Sequence, residues 1–302
     1  DAVDFVVTVN PTPKITTQPL SSEVCKNSAA TLLEVVFENG TGTATYQWFY
    51  NTTDINFGGI PISDANTNTY NPPTENVGAL FYYVEISFSA GSCTQIVSNT
   101  ASVNVLEQPV INPIETVQNY CIDDVSKSLE VTYSGATGVE VMYQWFSNTT
   151  NSTVNGNPLV DETTDSYNPP TNAVGTMYYY VEIYFSRGDC ATLISNSASV
   201  IVNETPVIAN ATITINSDET FTFNPNSVSG NTIPNNTLYT WTAPSFNPTD
   251  AIIGASDATT PQQNISQTLE NTTSSPIKVT YLITPATADC TGNSFTLEVT
   301  VL

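Results

Sequence analysis

The chain has 302 residues, 40% of them hydrophobic, with five basic side chains against 28 acidic ones, no histidine, and a formal charge of -23. Phosphate backbones and anionic lipid headgroups are bound by clustered Lys and Arg, so this balance argues against nucleic-acid and membrane-surface roles. The length admits two or three domains with cores of their own.

Charged residues make up only 11% of the chain, and the polar remainder is dominated by Asn, Thr and Ser, which favour strands, turns and caps over helix interiors. Almost no helix is expected. No apolar run approaches the ~18–20 residues of a membrane span, so no direct membrane insertion is expected. The first residues, Asp1-Ala2-Val3-Asp4-Phe5, lack a basic and an apolar leader region. The chain therefore reads as a soluble internal fragment or processed product whose export signal and anchor lie elsewhere.

In chain order, "DAVDFVVTV" at the start resembles the later segments "SNTASVNV", "SNSASVIV" and "SFTLEVTV", each of which closes a unit. Residues 1–12 are thus expected to be the last strand of a preceding module plus a linker. Module 1 follows at 13–106, with period-two alternation predicting strands at about 14–24, 29–37, 45–50, 67–70, 80–89 and 94–105. Module 2, at 107–204, repeats it at a spacing of 97 residues: "YQWFYNTT" returns as "YQWFSNTT", "TYNPPT" as "SYNPPT", and "FYYVEISFSAGSC" as "YYYVEIYFSRGDC". A diverged module 3, at 205–302, keeps Tyr239, Trp241, Tyr281 and Cys290. Linkers at 10–13, 106–109 and 203–206 are short and carry proline, which fixes φ, so a stiff string is expected.

Along the strand from Leu80, Tyr82, Val84, Ile86 and Phe88 share the face predicted to be buried. Trp48, Trp145 and Trp241, with Tyr82 and Tyr179, are the expected core aromatics. A tryptophan on the third strand between two sheets is the signature of immunoglobulin-like sandwiches. The expected fold is therefore all-β, with tandem immunoglobulin-like β-sandwich modules arranged end to end as a rod.

The pattern "PxITTQP…VC…YQWF.NTT…Y.PPT…G..YYYV.I…C…SN.ASV.V" over residues 13–204 resembles the immunoglobulin-like repeats of giant cell-surface adhesins of Bacteroidota, the gliding-motility adhesins among them. Residues 205–302 look like the related PKD-like modules, without the early cysteine. The resemblance implies export to an extracellular, bacterial cell-surface location and a very long parent chain.

Cysteines occur at 25, 93, 121, 190 and 290, with no Cys-x-x-Cys. That spacing, without histidine, excludes the usual zinc sites and points to disulfides. Two pairings are open. One joins Cys25 to Cys93 and Cys121 to Cys190 inside each module. The other joins Cys25 to Cys190 and Cys121 to Cys290 between modules, leaving Cys93 over. The second is favoured, because the early cysteine lies at the bottom of a sandwich and the late one at its top, roughly 30 Å away at ~3.3 Å per residue. A disulfide needs Cα atoms about 4.4–6.8 Å apart.

No enzymatic function is expected. Ser and Thr have no base to activate them, and the acidic groups at Asp123-Asp124 and Asp161-Glu162 read as turns. No cofactor is expected; calcium is the alternative, because Asp64, Asn66 and Asn68, and Asp161 and Asp165, place oxygen donors at alternate positions. The glycine and distal glutamate of an EF-hand are missing, and a polar hairpin turn is the favoured reading. Phe146, Tyr178, Tyr180 and Tyr184 are candidates for an aromatic binding face, but coverage of that face by loop residues such as 51–60, folded over it as an additional strand, is the favoured reading. Two functions follow: a stiff stalk projecting an adhesive region for attachment or gliding, with neighbouring modules of the same chain as partners, or a module binding glycans or other cell-surface proteins.

Overall fold

The computed structural model describes residues 11–91, 95–186 and 188–302. These residues form strands almost throughout; the helix among them is a single 3-10 turn at Pro225–Ser227. No helix is long and apolar enough to cross a membrane.

Module 1 starts with a strand that changes sheets. Lys14–Thr17 pairs antiparallel with Val36–Glu38, whereas Ser22–Cys25 pairs in parallel with the end of Ala101–Leu106 in the opposite sheet. The sequence reading ran one strand through 14–24. Pro19 lies at the break and has no N–H to give to a ladder. In the larger sheet, Gly78–Phe88 is central, with Ala101–Leu106 on one side and Ala44–Asn51 on the other. Alternation along these strands puts Trp48, Val84, Ile86, Ala101 and Val103 in the core at 2% exposure or less.

Module 2 repeats this plan. Val117–Cys121 runs parallel to Ala198–Asn203, and Trp145, Val181, Ile183 and Ala198 are fully enclosed. Module 3 keeps the parallel pair as Ala211–Ile215 with Phe295–Val301, around a core that holds Trp241, Tyr281, Phe295 and Leu297. Tyr82 and Tyr179 belong to the cores of modules 1 and 2. The three cores are separate clusters, and each first strand ends beside the residue that leads into the linker.

Burial perturbs the core phenols. Tyr82 is pushed up to about 12, first by burial and then by the neighbouring Tyr70 and Tyr50. Tyr281 is raised by burial, and Tyr167 by burial and then by Tyr179 and Glu162. An unfolded tyrosine ionises near ~10. Between that pH and the folded value the native state holds more protons than the unfolded one, so stability is full below pH ~10 and falls as pH rises above it. Tyrosinate absorbance of these buried phenols is expected to appear together with loss of the β circular-dichroism signal. Their titration near pH 10 in an intact fold would contradict the packing described.

Candidate functional site at the module junctions

The repeated motif is mostly scaffold. Gln47 and Gln144 donate from Nε2 to the Ile62 and Leu159 carbonyls, at 2.8 and 2.7 Å. Trp48 and Trp145 donate from Nε1 to the Thr67 and Thr164 carbonyls, both at 2.9 Å. The Asn of each "NTT" organises the following loop: Asn148 donates to the Ser152 and Val154 carbonyls at 3.1 and 3.2 Å. That loop decides the fate of the aromatic face.

Phe146 stacks on Tyr180 with centroids 4.9 Å apart and planes 5° from parallel, and Phe49 stacks on Tyr83 in the same way at 5.1 Å. Tyr180 is only 2% exposed. Its hydroxyl accepts the Gly156 N–H at 3.2 Å, and a Cβ at Gly156 would fall 2.7 Å from the ring. Of the two readings of Phe146, Tyr178, Tyr180 and Tyr184, the open platform is the one the structure does not show at Tyr180. The loop lies over it, its end paired as the two-residue strand Asn157–Pro158 against Phe146 and Ser147. Tyr178 is half-buried, and Tyr184 is exposed with its hydroxyl engaged by the Glu182 carboxylate.

Asp64 and Asp161 take positive φ, 61° and 64°, which marks them as turn residues. Across the same segments the Asn68 and Asp165 carbonyls accept the Val35 and Val131 N–H groups, both at 2.9 Å. Asn66 lies in the first of these turns. Among the described residues no group of three or more His, Cys, Asp or Glu is gathered as a metal site.

Chemistry concentrates instead where modules meet. Cys25 of module 1 is bonded to Cys190 of module 2, with Cα atoms 5.0 Å apart. Cys121 of module 2 is bonded to Cys290 of module 3, with Cα atoms 5.7 Å apart. The intramodular alternative, Cys25 with Cys93 and Cys121 with Cys190, is incompatible with these bonds; Cys93 itself lies outside the described residues. The parallel pairing explains the outcome. It carries Cys25 down beside Leu106 and Cys121 down beside Asn203, each at the exit to the next module.

Around the first disulfide, the Cys25 N–H donates to the Gly188 carbonyl, the Ser28 hydroxyl to the Asp189 carbonyl at 3.2 Å, and the Ala136 N–H to the Glu107 carbonyl at 3.0 Å. Gly135, at φ +85°, lies against the linker, where a Cβ would come within 2.5 Å of the Gln108 oxygen. At the second junction the Cys290 N–H donates to the Thr287 hydroxyl at 3.0 Å and the Ile122 N–H to the Asn203 carbonyl at 2.9 Å. A Cβ on Gly292 would overlap the Pro206 carbonyl oxygen. Thr74 and Thr171, the ends of the two "PPT" motifs, donate their hydroxyls to the Ser28 and Asp124 carbonyls and so hold the turns that follow Cys25 and Cys121. The glycines and these threonines were not singled out from sequence, although the repeated "NPPT" was a signal for the latter.

The chain matches two families: "Domain of unknown function (DUF8696)" over residues 15–107 and again over 110–204, and "PKD-like domain" over residues 213–302. No curated protein matches it. Among solved structures it is similar to the I-band fragment I67-I69 from titin, with 12% identity, a TM-score of 0.50, and coverage of 98% of this chain and 99% of that one. An E-to-A variant of the same three titin domains gives a TM-score of 0.51 at 12% identity, covering 97% of this chain and 99% of that chain. At this identity the likeness shows the fold: tandem immunoglobulin-like sandwiches.

Proposed function

We propose, from the premise that the chain belongs to the DUF8696 family and carries its domain twice, that it is a structural segment of a long secreted cell-surface adhesin. It acts as a stiff stalk that projects an adhesive region for surface attachment or gliding. The observation that carries this reading is the covalent bond across each junction, Cys25–Cys190 and Cys121–Cys290. Disulfides persist in oxidising compartments, which fits an extracellular protein. The PKD-like match supports the same class of surface repeat.

A sandwich joined to its neighbour only by a few residues can swivel about the linker. With a second covalent attachment beside the linker, at Cys25 next to Leu106 and at Cys121 next to Asn203, it can do so only by deforming both. Proline at 109 and 206 removes conformers from the linker itself. Surface glycans and other cell-surface proteins are then partners of the projected region, and the neighbouring modules are the partners of the repeats. The alternative of a binding module built on the aromatic face loses its platform to the loop that covers Tyr83 and Tyr180.

Electron microscopy of the oxidised and reduced chain tests the stalk. Oxidised particles are expected as straight rods with a narrow spread of inter-module angles, and reduction is expected to broaden that spread. A broad spread of angles in the oxidised chain would end the stalk reading.

A further inference from the structure

Connectivity of the two disulfides determines which parts of the chain can carry tension. The middle module shows why. Two short segments run from its upper junction to its lower one: residues 110–121 and residues 190–203. The first hangs from the linker at 106–109 and is fastened below through Cys121 to Cys290. The second hangs from Cys25 through Cys190 and is fastened below by the linker at 203–206. These two straps are paired with each other in parallel register, Val117–Cys121 against Ser199–Asn203. The chain between Cys121 and Cys190, with Trp145 and the central strand Gly175–Phe185, lies off both.

We propose that the inter-module disulfides give force alternative routes past each module body, so that no single module, by opening, can lengthen the chain while both bonds hold. This deepens the stalk reading and rests on it for its purpose. If module 1 opens, tension entering at the N-terminal side passes from Cys25 directly to Cys190, and residues 26–106 hang slack. If module 3 opens, tension passes from Cys121 to Cys290 and out along Phe295–Val301, and residues 204–289 hang slack. Module 2 is spanned by its two straps, whose lower halves are strands, Val117–Cys121 and Ala198–Asn203. The bonds bridge 165 and 169 residues of sequence, and because these spans overlap, each module's loss of fold is limited by a bond anchored in another.

The consequence is a non-additive pattern. With Cys121→Ser, the remaining bond still bypasses modules 1 and 2, and only module 3 becomes extensible. With Cys25→Ser, the bond to Cys290 bypasses modules 2 and 3, and only module 1 becomes extensible. With both bonds gone all three modules extend. One bond removed frees one module; the second frees two more.

Single-molecule force spectroscopy of the 302-residue chain, held by its two ends, reads this directly. A freed module of this size lengthens the chain by about 300 Å, at ~3.3–3.6 Å per residue. The expected number of such full-length steps is none in the oxidised chain, which can lengthen only through the stretch between Cys121 and Cys190 once modules 1 and 3 have both opened, one in Cys121→Ser, one in Cys25→Ser and three after reduction. Circular dichroism of each variant establishes that its β-structure is present before pulling. Full-length steps in the oxidised chain would overturn the proposal, among them the pattern of two shortened steps and one full-length step that marks bonds closed inside modules 1 and 2. The experiment is separate from the test of the stalk, because step number reports covalent routing and is insensitive to the angles between folded modules.

Discussion

Trp145→Ala is expected to cost module 2 about 3–5 kcal/mol, the range for removing a buried tryptophan from a packed core. The side chain is fully enclosed, its ring lies 5.7 Å from that of Tyr167, and its Nε1–H is donated to the Thr164 carbonyl at 2.9 Å. Truncation leaves a cavity between the sheets and also strips that carbonyl of its donor, and the two costs act together. A module of about a hundred residues has roughly 5–15 kcal/mol of stability in all, so much of it goes. At about 4–8 °C per kcal/mol, its calorimetric transition is expected to fall by roughly 15–30 °C and to separate from the rest. Because the three cores are separate clusters, modules 1 and 3 should melt as before. A shift under about 1 kcal/mol, or an equal shift of all three transitions, would contradict that description.

The second large effect is expected at a glycine. Gly292 has ordinary backbone angles, so Gly292→Ala brings no conformational penalty of its own. Its new methyl would nonetheless overlap the Pro206 carbonyl oxygen, with Pro285 Cγ only 3.1 Å away on another side. Both the oxygen and the turn are backbone, and neither can rotate aside as a side chain would. Overpacking of this kind costs about 1–3 kcal/mol. The displaced turn carries Cys290, whose bond to Cys121 needs Cα atoms within a narrow window of separation. Re-formation of Cys121–Cys290 in a reduced chain is expected to slow by about tenfold, the equivalent of ~1.4 kcal/mol. Peptide mapping over a reoxidation time course reads it, with Cys25–Cys190 in the same molecule as the reference. An unchanged ratio of the two rates would show that the linker yields freely at Pro206.

These two experiments divide the molecule as its chemistry does, into cores that fold locally and junctions that lock them together. A broken core should be felt in one module. A broken junction should be felt as altered attachment between modules whose own melting is little changed. The same division explains why the repeated motif is so rich in side chains that serve the backbone. Gln47, Asn51, Thr74 and their counterparts hold loops and turns in place, and those turns aim the cysteines.

Much of the architecture was legible in the residues alone. The 97-residue repeat, the alternation along Gly78–Phe88 and the tryptophans are local patterns, and a strand's period of two puts Tyr82, Val84 and Ile86 on one face whatever lies beyond it. Pairing across modules could be argued from the same information, because the parallel first and last strands set the two cysteines of one module at opposite ends. Three features were decided only in the tertiary structure. The first strand reads as one run over 14–24, and its break at Pro19 and the sheet each half joins depend on partners at Phe37 and Val105. Tyr180 points outward from its strand, which left both an open and a covered face possible, and it is buried because Gly156 lets the loop lie flat on its ring. The fit of Gly292 against Pro206 joins residues of two segments that are distant in sequence. Periodicity reports which way a side chain points from its own strand; what then comes to rest on it is set by chain that arrives from elsewhere.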